Sequence, residues 1–385
     1  MSDMIEKFRT VARAPYEWAE SWKEANQKKV VGVAPMHLPE ELIHAAGVLP
    51  IIIQESDEPV DEGYAYIFPY FCGFVRNVID MATKGKYDFL DGLIFSDMCI
   101  QTKSTHAILY SSKLHRNLQV KYVKLVQPPL NLMQPWAAED TMDEFRRLRT
   151  ELAQTFAENH IDDESIRQSI IIYNKNRGLL QKLYQLRREN PGLLAAKDMQ
   201  SVVIASLVMP KEEHSVLLEG LISQLAESRP DTRVGVRLYL SGHLCHRVNP
   251  EILSFIEDLG GIIVDDDLYT GARYFGTEDA NVDGDPMEAL VRRYMSITVP
   301  CPTRYHDFSK WDEYILQRAR SSRSEGVIIL QPKFCEPQMF SYPYQKATLA
   351  AGGMPHILIE TEHEAISMEA LRNKVQAFLE ILRQK

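Results

Sequence analysis

The chain has 385 residues, of which 45% are hydrophobic and 25% charged, and it carries a formal net charge of -10. This balance excludes disordered and fibrous classes, and at roughly 100 to 200 residues per domain the length predicts two domains with connecting structure. An acidic chain with no long apolar run and a charged opening stretch, MSDMIEKFRTVARAPYEW, offers no basic face to nucleic acid, no bilayer span and no signal peptide. The expected location is the cytoplasm, with neither nucleic acid nor membrane as partner.

In chain order, Val30 to Ala34 reads as a buried strand, Pro39 to Ala46 as a helix closed by Gly47, and Leu49 to Ile53 as a second strand. GLIFSDMCIQTK (92 to 103) is an apolar strand ending in a polar turn that places Cys99 just before a helix. This βαβ grammar predicts a parallel sheet of Rossmann-like or flavodoxin-like layout. Residues 138–228 read as mostly helical. There Asp163 is placed to cap a helix whose Ile166, Ile170, Tyr173, Arg177, Leu180 and Tyr184 recur at three- and four-residue spacing.

The first grammar returns in RVGVRLYLSGHLCHRVNPEILSFIEDLGGIIVDDD, where Asn249 caps a helix with Pro250 at its first position. GVIILQPKFCEP (326 to 337) then repeats the strand, polar turn and cysteine of the first half, now with Cys335. Ser367 to Lys385 reads as an amphipathic helix with Leu371, Val375, Phe378, Leu379 and Leu382 on one stripe. The predicted architecture is α/β: a first α/β domain (1–137), a helical connecting segment (138–228) and a second α/β domain (229–385), the two domains being related Rossmann-like or flavodoxin-like halves.

Five cysteines, Cys72, Cys99, Cys245, Cys301 and Cys335, have wide spacings and no CxxC pair, which argues against disulfides and zinc ribbons. Cys99 and Cys335 follow strands, so both belong on the carboxyl edge of a parallel sheet, where ligands bind. If the halves face each other, Cys72, Cys99 and Cys335 meet across the cleft, and three thiolates suit a soft metal or an iron–sulfur cluster. For any one of them, inert packing is the competing reading. Cys301, between prolines, reads as structural. Cys245 with His243 and His246 is a reserve metal candidate whose bland alternative is a polar loop. Asp265, Asp266 and Asp267 end a strand and read as a solvated acidic turn, with a cation site as the competing reading. No G-x-x-x-x-G-K-[ST] and no G-x-G-x-x-G after a strand is present, so neither ATP hydrolysis nor dinucleotide chemistry is expected of this chain.

Several stretches carry a family resemblance: VAPMHLPEELIHAAGVLPI, SIRQSIIIYNKNRGLLQKLYQLRRENPGLLAAKDMQSVVIAS, PEILSFIEDLGGIIVDDDLYTGARYF, VPCP and GVIILQPKFCEP. They span nearly the whole chain in order, and the chain resembles the 2-hydroxyacyl-CoA dehydratase and benzoyl-CoA reductase family. That resemblance implies two flavodoxin-like domains with a [4Fe-4S] cluster between them, held here by Cys72 in FPYFCGF, Cys99 in FSDMCIQ and Cys335 in PKFCEP. It implies a homologous cluster-bearing subunit, an ATPase activator fed by ferredoxin, and a CoA thioester substrate. With a benzoyl thioester the implied product is a cyclohexadiene carboxyl-CoA; a 2-hydroxyacyl thioester would instead lose water, and a third reading is a non-catalytic electron-relay or scaffold subunit. Glu336 stands where the family commonly has Asp, and Tyr269 where a cysteine is frequent. His37, His44, His106 and Tyr70 are the proton-donor candidates. Lys103 is placed either to pair with a CoA phosphate or to solvate a helix.

Overall fold

The computed structural model describes residues 2–34, 36–111, 118–156, 160–227, 235–277, 279–296, 298–306, 310–364 and 367–384. The first sheet joins β1 (Val30–Ala34), β2 (Leu49–Ile52), β3 (Gly92–Ser96) and β4 (Tyr122–Val126) in the order β2-β1-β3-β4, all parallel. The second repeats that order with β5 (Val236–Gly242), β6 (Gly261–Asp266), β7 (Gly326–Pro332) and β8 (His356–Thr361): β6-β5-β7-β8. The inner strands β1, β3, β5 and β7 are apolar runs because helices cover both faces of each sheet. This is the parallel α/β fold that the chain's repeated grammar predicts, consistent with the two flavodoxin-like halves that the resemblance implies.

Each order contains one topological switch point. The chain leaves β1 to one side and returns to pair β3 on the other, and it does the same between β5 and β7. At such points the connecting loops diverge, so a crevice opens outside the carboxyl ends of the strands.

The helix Asp163–Glu189 ties the halves together. Its cap is Asp162, one residue before the expected Asp163, and its carboxylate accepts from the Ser165 N–H at 2.7 Å. The predicted stripe Ile166, Ile170, Tyr173, Arg177, Leu180 and Tyr184 is buried. Arg177 of that stripe reaches Glu41 in the first half at 2.9 Å, whereas Tyr184 and Arg187 reach Asp266 in the second, at 2.9 and 3.0 Å. Asn249 caps Pro250–Asp258 as expected, and Met368–Arg383 buries its predicted stripe. No described helix is long and apolar enough to cross a membrane.

One expectation is corrected. Asp265, Asp266 and Asp267 do not form a solvated turn; all three are buried. Asp265 meets Arg188 and Arg318, Asp266 meets Arg187, and Asp267 meets Arg273 together with the Trp311 indole N–H. Guanidiniums from distant helices make burial of the charges tolerable.

Candidate functional site

Cys72, Cys99 and Cys335 each stand at the start of a helix. Cys72 is the N-cap of Gly73–Thr83, Cys335 is the N-cap of Glu336–Ala351, and Cys99 directly precedes Ile100–Ser111. Cys99 follows β3 and Cys335 follows β7, both strands of a switch point. Three helix N-termini therefore present backbone N–H groups and the positive ends of their dipoles to one region.

The three segments are bound to one another. Gln101, two residues after Cys99, accepts from the Cys72 N–H at 2.7 Å and donates to the Phe334 carbonyl, next to Cys335, at 2.8 Å. Cys72 and Cys335 are buried, and Cys99 is half-buried with its Sγ 3.6 Å from the Thr102 hydroxyl. Burial pushes the Cys72 thiol well above its ordinary pKa, with the neighbouring charges of Cys335 and Cys99 adding to the rise and the Val75 N–H opposing it. Burial likewise pushes Cys335 up to about 12 against the Gln338 N–H, and the charge of Cys99 pushes it further. The thiols thus lie close enough to repel one another as thiolates, and a bound cationic centre would reverse that energetics. Among the described residues no group of three His, Cys, Asp or Glu side chains is arranged to hold a single metal ion.

Two further cysteines sort differently. Cys301 is buried with its Sγ 3.0 Å from the Thr303 hydroxyl, a packed position that fits its structural reading. Cys245, in the loop after β5, feels the charges of Cys72, Cys335 and Cys99 after the dominant effect of burial. Its flanking histidines are not in a polar loop: His243 and His246 are each 3% exposed. They line a cleft of about 560 Å³ with Glu55 and His363. That group was hidden from sequence reading, since its members come from separate segments of the chain.

A second cavity, of about 100 Å³, opens where β1 ends, lined by His37, Glu40, Tyr269, Arg273, Tyr294 and Arg304 among others. His37 Nε2, Arg273 Nη2, Arg304 Nε and the Tyr294 hydroxyl are buried there without a hydrogen-bond partner. Burial and the charges of Arg304 and Arg273 hold His37 well below the usual imidazole pKa. Of the proton-donor candidates, His37 alone lines this cavity. His44 bonds to Ser169 and Glu212, His106 stacks on Tyr110, and Tyr70 is exposed against Phe68. Lys103 pairs with Asp97 at 3.0 Å. The arginines lining the cavity were missed because nothing in local pattern distinguishes them from surface charge.

Around the cysteines the surface is apolar. Phe68 and Tyr70 precede Cys72 and stack at 5.2 Å; Ile100 follows Cys99; Phe334, Met339, Phe340 and Tyr344 flank Cys335, and all of these are exposed.

Fold and site define a protein of two parallel α/β halves that gathers cysteines from both at helix N-termini between them. Residues 35–382 match the family described as 2-hydroxyglutaryl-CoA dehydratase, D-component, and the chain belongs to that family. It is 28% identical over 369 residues to the C subunit of benzoyl-CoA reductase from Thauera aromatica, covering 95% of this chain and 94% of that one. It is 26% identical over 377 residues to the (R)-phenyllactyl-CoA dehydratase beta subunit of Clostridium sporogenes, covering 97% of each. Against the beta subunit of (R)-2-hydroxyglutaryl-CoA dehydratase from Acidaminococcus fermentans it is 25% identical over 391 residues, covering 99% of this chain and all of the relative.

Proposed function

We propose that the chain is an iron–sulfur subunit of an ATP-dependent benzoyl-CoA reductase, corresponding to the C subunit, and that Cys72, Cys99 and Cys335 hold a [4Fe-4S] cluster. The observation that carries this reading is the tie that Gln101 makes between the Cys72 and Cys335 segments from its place beside Cys99. The donor set fits the group: buried thiols at helix N-termini become thiolates when a cationic cluster supplies the missing counter-charge. Three cysteines would hold three of the cluster's four irons and leave one for solvent, a small ligand or substrate.

When bound, the cluster would supply single low-potential electrons for reduction of the aromatic ring of the thioester to a cyclohexadiene carboxyl-CoA. The residues of this chain would set its surroundings. The Val75 and Gln338 amides favour the thiolate forms, and buried Phe74 and Met98 beside the cysteines keep water out. Arg304 donates to His37 Nδ1, so the unpartnered Nε2 of the neutral ring carries the hydrogen and is the proton donor this chain offers to the cavity beyond β1.

The reading places this subunit beside a homologous cluster-bearing subunit, with electrons delivered one at a time from a ferredoxin-fed ATPase in the cytoplasm. Its support is the exposed apolar surface around the cysteines and the naming of the relatives as subunits. A second reading, a subunit of a radical 2-hydroxyacyl-CoA dehydratase, is favoured by the family's description and by the dehydratase subunits found at similar identity. Net reduction consumes ATP with each electron, whereas dehydration recycles its electron, so ATP consumed per product by the assembled complex separates the two.

The test of the site is iron and acid-labile sulfide content, with EPR after reduction, on anaerobically purified protein and on Cys72→Ala, Cys99→Ala and Cys335→Ala. The expected result is about four irons in the native chain, lost in each variant and kept in Cys301→Ala. A native chain that folds fully without iron beside its partners overturns the reading.

A further inference from the structure

The cleft of about 560 Å³ between the halves is separate from the cavity at β1 and remains unassigned. Three imidazoles surround one buried carboxylate in it. His363 Nδ1 lies 3.6 Å from Glu55 Oε1, and the Arg247 N–H donates to Glu55 Oε2 at 3.0 Å. The His243 and His246 rings lie 5.7 Å apart, with His243 Nε2 bonded to the Thr361 hydroxyl at 2.8 Å. His243 Nδ1 and His246 Nε2 are buried with no hydrogen-bond partner. His243 is also held at φ +47, a left-handed conformation rare for a residue with a side chain.

This group is wired toward the thiols. His246 Nδ1 is 3.9 Å from the Cys245 Sγ, and its ring meets Phe74, two residues after Cys72, edge-on at 6.2 Å. Gly73 permits the approach, since a methyl group there would fall 2.6 Å from the His363 Cβ. On the other side the cleft is large enough for several waters.

We propose that His243, His246, His363 and Glu55 form a proton-uptake site coupled to electron arrival at the neighbouring thiols. This rests on the reading of Cys72, Cys99 and Cys335 as cluster ligands. Negative charge added to a dry thiolate site is costly unless a positive charge arrives nearby. One electron enters from a low-potential one-electron donor, and one proton passes from cleft water to the free Nε2 of His246. No bond between heavy atoms forms or breaks, and the proton leaves when the electron does.

The other charged groups facing the cleft are already committed or stand at its rim. Arg76 of Gly73–Thr83 pairs with Glu362 and Glu364 beyond β8. Arg247 follows His246, donates its amide to Glu55 and keeps a buried guanidinium Nε without a partner as a fixed positive charge, Lys333 stands after β7, Asp57 lies after β2, and Glu251 lies in the first turn of Pro250–Asp258. His246 Nε2 and His243 Nδ1 are thus the buried ring nitrogens free to exchange a proton with the cleft.

The experiment is an EPR-monitored redox titration of the iron-loaded protein in its complex, with His246→Gln and Glu55→Gln beside the native chain. Between about pH 6 and 9 the native midpoint potential should fall with pH, by up to about 59 mV per unit for one proton per electron. Both variants should keep their iron and lose most of that slope. A flat native potential, or an unaltered slope in both iron-bearing variants, overturns the proton-uptake site and leaves the cluster reading standing. A native chain without iron overturns both.

Discussion

Gln101 accepts a 2.7 Å hydrogen bond from the backbone N–H of Cys72 and thereby fixes a first-half cysteine against the helix that begins beside Cys99. The same amide donates at 2.8 Å to Phe334 in the second half, so one side chain sets the spacing of all three candidate ligands.

Replacing Gln101 by Leu should therefore injure the site more than the fold. The Cys72 N–H loses its partner in a buried setting, at a cost of about 1–3 kcal/mol for such a group. Iron retained after desalting should drop well below native, while circular dichroism stays native at room temperature. Native iron retention in Gln101→Leu would show that the clamp is dispensable.

The halves are also joined by charge. Arg76, whose side chain is 3% exposed, pairs with Glu362 and Glu364 across the interface. Arg76→Met leaves two carboxylates without their cation, and breaking a buried pair from one side costs about 3–5 kcal/mol. Part of Glu364 faces solvent, which places the expected loss at the lower end. Urea unfolding should show a lower midpoint, and adding Glu362→Gln should recover part of it.

Acid should destabilise the chain, and the sign follows from the buried histidines. His214 is locked neutral: its Nε2 lies 2.9 Å from the Val202 carbonyl, its Nδ1 lies 2.8 Å from Asn176 Nδ2, and burial lowers its pKa to about 3. Burial likewise lowers His243 to about 3 and holds His246 down. Such groups take up protons in the unfolded chain at pH 6.5 but resist them when folded, so stability drops as pH falls from 6.5 toward 3. His363, raised by Glu55 despite its burial, works the other way: its contribution is full below 6.5 and fades as pH rises through its folded value. Glu55, held down by His246 and His363 against its burial, contributes above 4.5 and loses that as pH falls through its folded value. With His37 and His106 also held down, five lowered imidazoles outweigh one raised, at up to roughly 1.4 kcal/mol per pH unit for each titrating group. Urea midpoints should fall from pH 7 to 5, and His214→Gln should flatten the fall; equal midpoints would sink this account.

The strands, the Asn249 cap and the strand-end placement of Cys99 and Cys335 were legible in the sequence because each depends on neighbours within one turn or one strand. The relation of Cys335 to Cys72 and Cys99 was legible only through the expectation that the halves face each other. The pairing of Glu55 with His363 was not legible, because no local period links residues so far apart in the chain. Asp265 to Asp267 misled for the same reason: a run of three carboxylates looks solvated until guanidiniums from three other helices are brought to it. Long-range charge pairing is a product of the fold and leaves no spacing to read.

The exposed aromatics around the cysteines provide the last test, and it bears on whether the subunit functions alone. Phe340 is 76% exposed and Tyr344 70% exposed on the first turns of Glu336–Ala351, the helix that Cys335 caps. Large aromatic side chains left in water beside a buried thiol site are costly to solubility and are enriched where partners dock. Phe340→Asp should leave the isolated chain's stability within about 0.5 kcal/mol, because the side chain packs against little in the monomer. Under the proposed reading, the same change should weaken association with a homologous partner subunit at least tenfold, as a charge would be desolvated at the interface. Sedimentation velocity of the co-expressed subunits reads the association, and thermal melts of the isolated chain read the stability. Undiminished association would move the partner to another face, and a large drop in monomer stability would make Phe340 part of the chain's own packing.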